Sequence, residues 1–271
     1  MGNWTLETID WDRFDASKVD TEILRNIKAA AMVERNGADY GIYLGRVFAD
    51  DPAFVKDVDG WVVEEIQHGM ALGRWAQMAD PSWDFDAAFD RFRKGYQVPL
   101  DTNASVRGSQ AGEMMARCIV ETGTSSYYSA LKDAIAEPVL KQICAKIAAD
   151  EFRHYKLFYE HLRRCLKRDR LSRWTRLRVG WSRIAESEDD ELAYAYFAAN
   201  EPADAVYDRK RYTQAYAKRA YPLYRAAHVQ RAMAMVLKAI GMAPQGRLNA
   251  LMTRAGLWFL RRRSAQLAAS A

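Results

Sequence analysis

The sequence is short of residues that break helices. Only seven prolines and fifteen glycines occur among 271 residues. No stretch alternates β-branched with polar residues, so neither a sandwich nor a barrel is expected. There are three cysteines, Cys118, Cys144 and Cys165, and none stands in a Cys-x-x-Cys pair. An odd, unpaired set excludes a disulfide framework and leaves small apolar core residues. No apolar run approaches the roughly 20 residues that span a bilayer. The opening MGNWTLETIDWDRFD is acidic and lacks an apolar segment, so a secretory signal is not expected and a reducing, cytoplasmic setting is.

What is present is helix-forming sequence and a lopsided charge. At 49% apolar and 28% charged residues, the composition is that of a globular protein with a substantial core. The formal net charge is +5. Residues 205 to 271 hold thirteen Lys/Arg against one acid, Asp208, so the first 204 residues carry −7. A basic rear half is either a solvated surface or a face for an anionic partner.

Four stripes at helical spacing recur along the chain. One runs over 20–48 through Ile23, Ile27, Ala30, Glu34, Ala38, Gly41 and Gly45. The second holds Trp61, Glu65, His68, Leu72 and Trp75, and the third Met114, Cys118, Glu121, Ser125 and Tyr128. The fourth holds Ile143, Ile147, Glu151, His154, Phe158 and His161. A helix start is expected at DDPA (50–53), and loops at 79–84, 99–109 and 187–190. Each stripe is apolar except for a Glu, or a Glu and a His, in its middle. Buried carboxylates without partners are prohibitively costly, so a bundle that aims several inward needs cations there.

The pattern is written twice. Glu34 precedes Glu65 by 31 residues, and Glu121 precedes Glu151 by 30. His68 and His154 each follow their Glu by three and lie 86 residues apart. The three-residue spacing puts carboxylate and imidazole on one helix face, within reach of one ion. Two helical hairpins, each giving one Glu and one Glu-x-x-His, would meet about a pseudo-twofold axis. The lone Glu34 and Glu121 would complete and bridge the pair of ions. The expected fold is all-α, a ferritin-like four-helix bundle over residues 1–165, with a basic helical extension, 166–271, packed on the same domain. Mixed carboxylate and imidazole ligands suit two iron ions that activate dioxygen.

The segments EEIQHG (64–69) and QICAKIAADEFRH (142–154) are similar to the two signature segments of soluble acyl-acyl-carrier-protein desaturases. The resemblance covers roughly residues 20–165. It implies a di-iron enzyme that uses O2 and two external electrons to desaturate a carrier-bound acyl chain, with Glu34, Glu65, His68, Glu121, Glu151 and His154 as iron ligands. It implies that Thr124 lines the oxygen side of the irons and that Asp150 orients His68. An acidic acyl carrier protein, a ferredoxin-like electron donor and a homodimer are the implied partners. Related di-iron hydroxylases and N-oxygenases share the ligand pattern, so the ligands specify the oxidant and the cavity its substrate. A metal-binding bundle without catalysis is the non-enzymatic alternative.

Other features stand apart from the resemblance. Gly37, Ala38 and Gly41 make either a slot for an acyl chain or a tight helix contact. Residues 163–183 hold nine Lys/Arg and one acid, a candidate docking face for an acidic protein. AGLWFLRRR (255–263) has the signature of a peripheral membrane helix. No nucleic-acid motif is evident. His161 is expected to pack, and His228, among basic residues, to lie on the surface. The seven tyrosines between 194 and 224 are expected to pack amphipathic helices.

Overall fold

The computed structural model describes residues 4–185 and 190–269. They form an all-α protein, with no strands among them. Four long helices build a bundle: α1 (Thr21–Arg35), α3 (Pro52–Ala79), α5 (Gln110–Ala134) and α6 (Pro138–Asp169). The short α2 (Gly37–Val47) continues α1, and α4 (Phe85–Gly95) lies in the connection from α3 to α5. Five further helices follow: α7 (Arg173–Ala185), α8 (Asp190–Asn200), α9 (Arg209–Ala220), α10 (Ala226–Ile240) and α11 (Arg247–Ala269).

Local sequence sets the helix starts. Asp20 accepts from the backbone N–H of Glu22 and Ile23, and Ser109 from that of Gly112. Asp51 and Glu137 cap helices whose first residues are Pro52 and Pro138, where a missing N–H costs nothing. The DDPA start and the loops at 80–84 and 96–109 are therefore as expected. Of the loop expected at 187–190, only Asp190 lies among the described residues, and it opens α8.

Cross-helix pairs give the directions. Gly37 lies against Glu65 and Gly41 against Val62, so α1 and α2 run antiparallel to α3. Asp57 meets His161 and Glu64 meets His154, so α3 and α6 are antiparallel. Ala111 bonds Asp169 and Thr124 bonds Glu151, so α5 and α6 are antiparallel too. Helices α3 and α5 thus point the same way, and the chain must travel the length of the bundle between them. Residues 80–109, with α4, are that crossover.

The bundle has two apolar cores. One gathers Ile27, Leu72, Leu131 and Ile143 with residues of α8 and α9; the other gathers Leu44, Phe54, Met114 and Phe158 with residues of α10. The inward-facing Glu and His residues lie between them in sequence on every bundle helix. The C-terminal helices contribute to both cores, and α6 runs on past residue 165 to Asp169.

Two expectations need correction, and one pair of alternatives is decided. The stripe over 20–48 is two helices, broken at Asn36, which sits before Gly37; both are weak helix formers. Gly37 and Gly41 serve close packing: a Cβ would lie 2.5 Å from Glu65 Cβ at the first and 2.3 Å from Val62 Cγ2 at the second. His228 is buried, not on the surface. Its Nδ1 accepts from the Arg225 N–H at 3.1 Å, capping α10, and its Nε2 lies 2.9 Å from Asp133 Oδ2. His161 packs as expected, edge-on to Phe54 and paired with Asp57. The three cysteines are free and buried.

Candidate metal centre

The fold brings all six expected ligands together and buries each of them. Their donor atoms fall into two groups, each within a 4.8 Å span. One group is Glu34, Glu65, His68 and Glu151; the other is Glu65, Glu121, Glu151 and His154. Glu65 and Glu151 belong to both. The bridging expectation is thereby corrected: the shared carboxylates are those of the Glu-x-x-His motifs, not Glu34 and Glu121. The reason is that α3 and α6 face each other directly, while α1 and α5 flank them.

Both imidazoles aim Nδ1 inward. His68 Nδ1 is 3.3 Å from Glu34 Oε2 and 3.4 Å from Glu151 Oε1. His154 Nδ1 is 3.0 Å from Glu65 Oε1 and 3.7 Å from Glu121 Oε2. The outward nitrogens have their own acids. His68 Nε2 lies 3.0 Å from Asp150 Oδ2, as the resemblance implied. His154 Nε2 lies 2.7 Å from Glu64 Oε2. The acid before each motif's Glu thus holds the other motif's His. An Nε2–H bonded to a carboxylate fixes the tautomer and leaves the Nδ1 lone pair for an ion. Arg153 ties the two acids together, with Nη2 at 2.5 Å from Asp150 and 3.4 Å from Glu64.

The chemistry of the donor set fits two divalent cations. Four buried carboxylates carry four negative charges, which two such ions neutralise with both imidazoles uncharged. Glu121 Oε1 is buried without a hydrogen-bond partner, and Glu65 Oε1, Glu151 Oε1 and His154 Nδ1 meet only other members of the cluster. Buried polar atoms are otherwise almost always paired, so these lone pairs mark ligand positions. Without cations, protons must settle the charge. Burial, then repulsion from Glu151 and Glu34, pushes the Glu65 carboxyl up to about 8. Burial and Glu151 also raise Glu121 well above the usual range. Burial acts the same way on Glu151, but bonds from His154 and His68 outweigh it and hold that carboxyl low. Burial disfavours charge on His68, yet bonds to Asp150, Glu151 and Glu34 keep its proton well bound.

Thr124 donates to Glu151 Oε2 and lines the same side of the cluster. Three contacts were not expected from sequence. Trp4 donates from Nε1 to Asp150 Oδ2 at 2.7 Å and stacks on His68, so the N-terminal segment covers the centre. Tyr128 donates to Glu34 Oε1 at 2.6 Å. Glu64 carried a signal, since an acid precedes the Glu of both motifs. Trp4 carried none, being 146 residues from its partner.

A cavity of about 300 Å³ opens on the cluster, with Glu34, Glu65, Glu121 and Glu151 in its wall. Away from them it is lined by five tyrosines of α5, α9 and the turn after it, together with Tyr40, Arg117 and Glu191. Tyr40 donates to Glu191 at 2.6 Å, and Arg117 stacks on the Tyr40 ring. Tyr216, Tyr221 and Tyr224, expected to pack, therefore also face this space.

No family model matches the sequence, and no curated protein matches it.

Proposed function

We propose that the protein is a di-iron, dioxygen-dependent oxidoreductase that acts on a substrate held in the cavity beside the cluster. The observation that carries this is the pair of four-residue donor groups sharing Glu65 and Glu151, with a cavity whose wall they form. A storage bundle needs the ions but has no use for a substrate-sized cavity at them.

Two bound irons would supply the two-electron activation of O2 and attack on an unactivated bond, with electrons from an external donor of the ferredoxin type. The chain's own residues do the rest. Glu34, Glu65, His68, Glu121, Glu151 and His154 would hold the ions, and Asp150, Glu64 and Arg153 fix the imidazoles. Trp4 and the two apolar cores exclude water. Thr124 presents its hydroxyl on the cavity side of Glu151, where it can pass a proton.

The motifs point to a carrier-bound acyl chain as substrate. The cavity favours the second reading, a small molecule with polar groups oxidised by hydroxylation or N-oxygenation. Its volume is at the lower limit of roughly 300–1,000 Å³ for ligand pockets. The wall is mostly apolar, and the tyrosine hydroxyls, Arg117 and Glu191 are isolated polar points that would orient such a molecule.

The test is anaerobic loading with ferrous iron, metal analysis, then one pulse of oxygen. Two irons per chain and a visible oxo-bridged absorption are expected, and Glu151→Ala or His154→Ala should abolish both. Oxygen uptake with acyl-carrier substrates and with small amines or aromatics then separates the two substrate readings. One zinc per chain, or no metal, would refute the proposal.

A further inference from the structure

Of the thirteen exposed large apolar side chains among the described residues, Ile42, Val63, Met70, Val106 and Val206 stand singly elsewhere, and the other eight are concentrated in one region. Trp174, Leu177, Trp181, Met242, Leu248, Leu251, Trp258 and Phe259 all lie on α7, α11 or the turn that leads into α11. Trp174 is 81% exposed and Trp181 72%. In α7 the positions 174, 177 and 181 form one helical stripe. In α11 the positions 248, 251, 258 and 259 form another. Helix α10 packs against both helices, and the Arg176 guanidinium lies against Gly241 in the turn that follows α10.

The charge on these helices has one sign. Helix α7 contains four arginines and α11 five, and neither contains an acid. The basic stretch expected to dock a partner divides at this point. Arg164 is engaged with Asp51 and His161, and Arg168 with Asp169 and Gln110, which tie the end of α6 to its own bundle. The arginines beyond them share α7 and α11 with the exposed tryptophans. Arg262 lies over the Trp258 ring.

We infer that α7 and α11 form a docking surface for an anionic lipid bilayer. Outward tryptophan, phenylalanine and leucine flanked by arginine is the pattern of helices that lie in a membrane interface. Basic side chains are attracted to an anionic surface, and the rings occupy the headgroup level. Charge decides against a second copy as the occupant, because a twofold contact would set arginine against arginine. None of the described helices is long and apolar enough to cross a membrane, so attachment is peripheral. The surface reaches the cavity: Phe259 packs on Tyr221, and Tyr221 and Arg183 both line that space. The inference stands on these two helices and does not depend on the metal.

The test is co-sedimentation of the full chain with phosphatidylcholine vesicles, with and without phosphatidylglycerol. Binding is expected only with phosphatidylglycerol, accompanied by a blue shift of tryptophan emission and reversed by salt. The combined variant Trp174→Ser, Trp181→Ser, Trp258→Ser and Phe259→Ser should weaken binding by about tenfold or more, with circular dichroism unchanged. The four side chains are exposed, so the variant should fold. Unchanged vesicle binding by that variant would overturn the inference. So would a nucleic acid bound in preference to vesicles, an acidic protein that competes them off, or a lipid-free dimer that the four substitutions dissociate.

Discussion

Asp150 and Glu64 show what single residues contribute around the cluster. Each takes the outward nitrogen of a histidine whose other nitrogen faces the ion sites. Replacing either carboxylate by its amide keeps the shape but lets the imidazole turn or change tautomer. Glu64→Gln and Asp150→Asn should each lower metal affinity by about 10- to 100-fold, measured by competition with a chelator. Helix content should stay intact, which separates positioning from folding. A Glu64→Gln protein with unchanged affinity would show that His154 is held by something else. The six candidate ligands were legible in the sequence because each interrupts an apolar stripe and the Glu-x-x-His spacing occurs twice. Asp150 was legible only through the resemblance. Glu64 stood beside Glu65 unassigned, because an acid next to a motif acid reads as a solvated neighbour. Tyr128 shares the stripe of Glu121, but its partner Glu34, like the partner of Trp4, is met through tertiary packing, which no local pattern encodes.

Between elements, glycine sets how closely α1 and α2 approach α3. A Cβ on Gly69 would lie 2.5 Å from the Arg35 backbone nitrogen and 2.8 Å from its Cα. Backbone cannot swing aside, so Gly69→Ala should destabilise the protein by about 1–3 kcal/mol and push Glu34 and His68 apart. Gly60, on the same helix, has nothing within 4 Å of the same position. There the substitution only restricts the unfolded chain, and Gly60→Ala should stabilise by about 0.5–1 kcal/mol. Urea midpoints of the two variants should therefore move in opposite directions; equal shifts would mean that the helix contact is not tight. The helix pattern itself was largely legible, but the break at Asn36 was not. Its dihedrals, φ −75° and ψ 0°, stay close enough to helical that the apolar stripe keeps its phase across the break. His228 was misjudged for a related reason. Its neighbours in sequence are basic, while its burial follows from the cap it makes on α10 and from Asp133 on α5.

At the scale of the whole molecule, the metal-free cluster opposes folding and metal binding favours it. The folded chain gathers four carboxylates between two apolar cores, where each raises the cost of ionising its neighbours. Cations remove that cost, and an ion held by the folded state alone stabilises it by mass action. At a hundred times its dissociation constant, the gain is about 2.7 kcal/mol per site. For a chain of this size that corresponds to a rise in melting temperature of about 5–10 °C. Calorimetry of chelated and anaerobically iron-loaded protein should show it. Glu121→Gln separates the two effects, because it removes one carboxyl that burial forces to stay protonated and one candidate ligand while keeping the volume. The chelated variant should melt above the chelated parent protein, and iron should raise its melting temperature by less. A variant less stable than the parent when metal-free would mean that Glu121 helps hold the bundle together. The expected reversal of sign would mean that the bundle bears the cluster at a cost in stability, offset when metal binds.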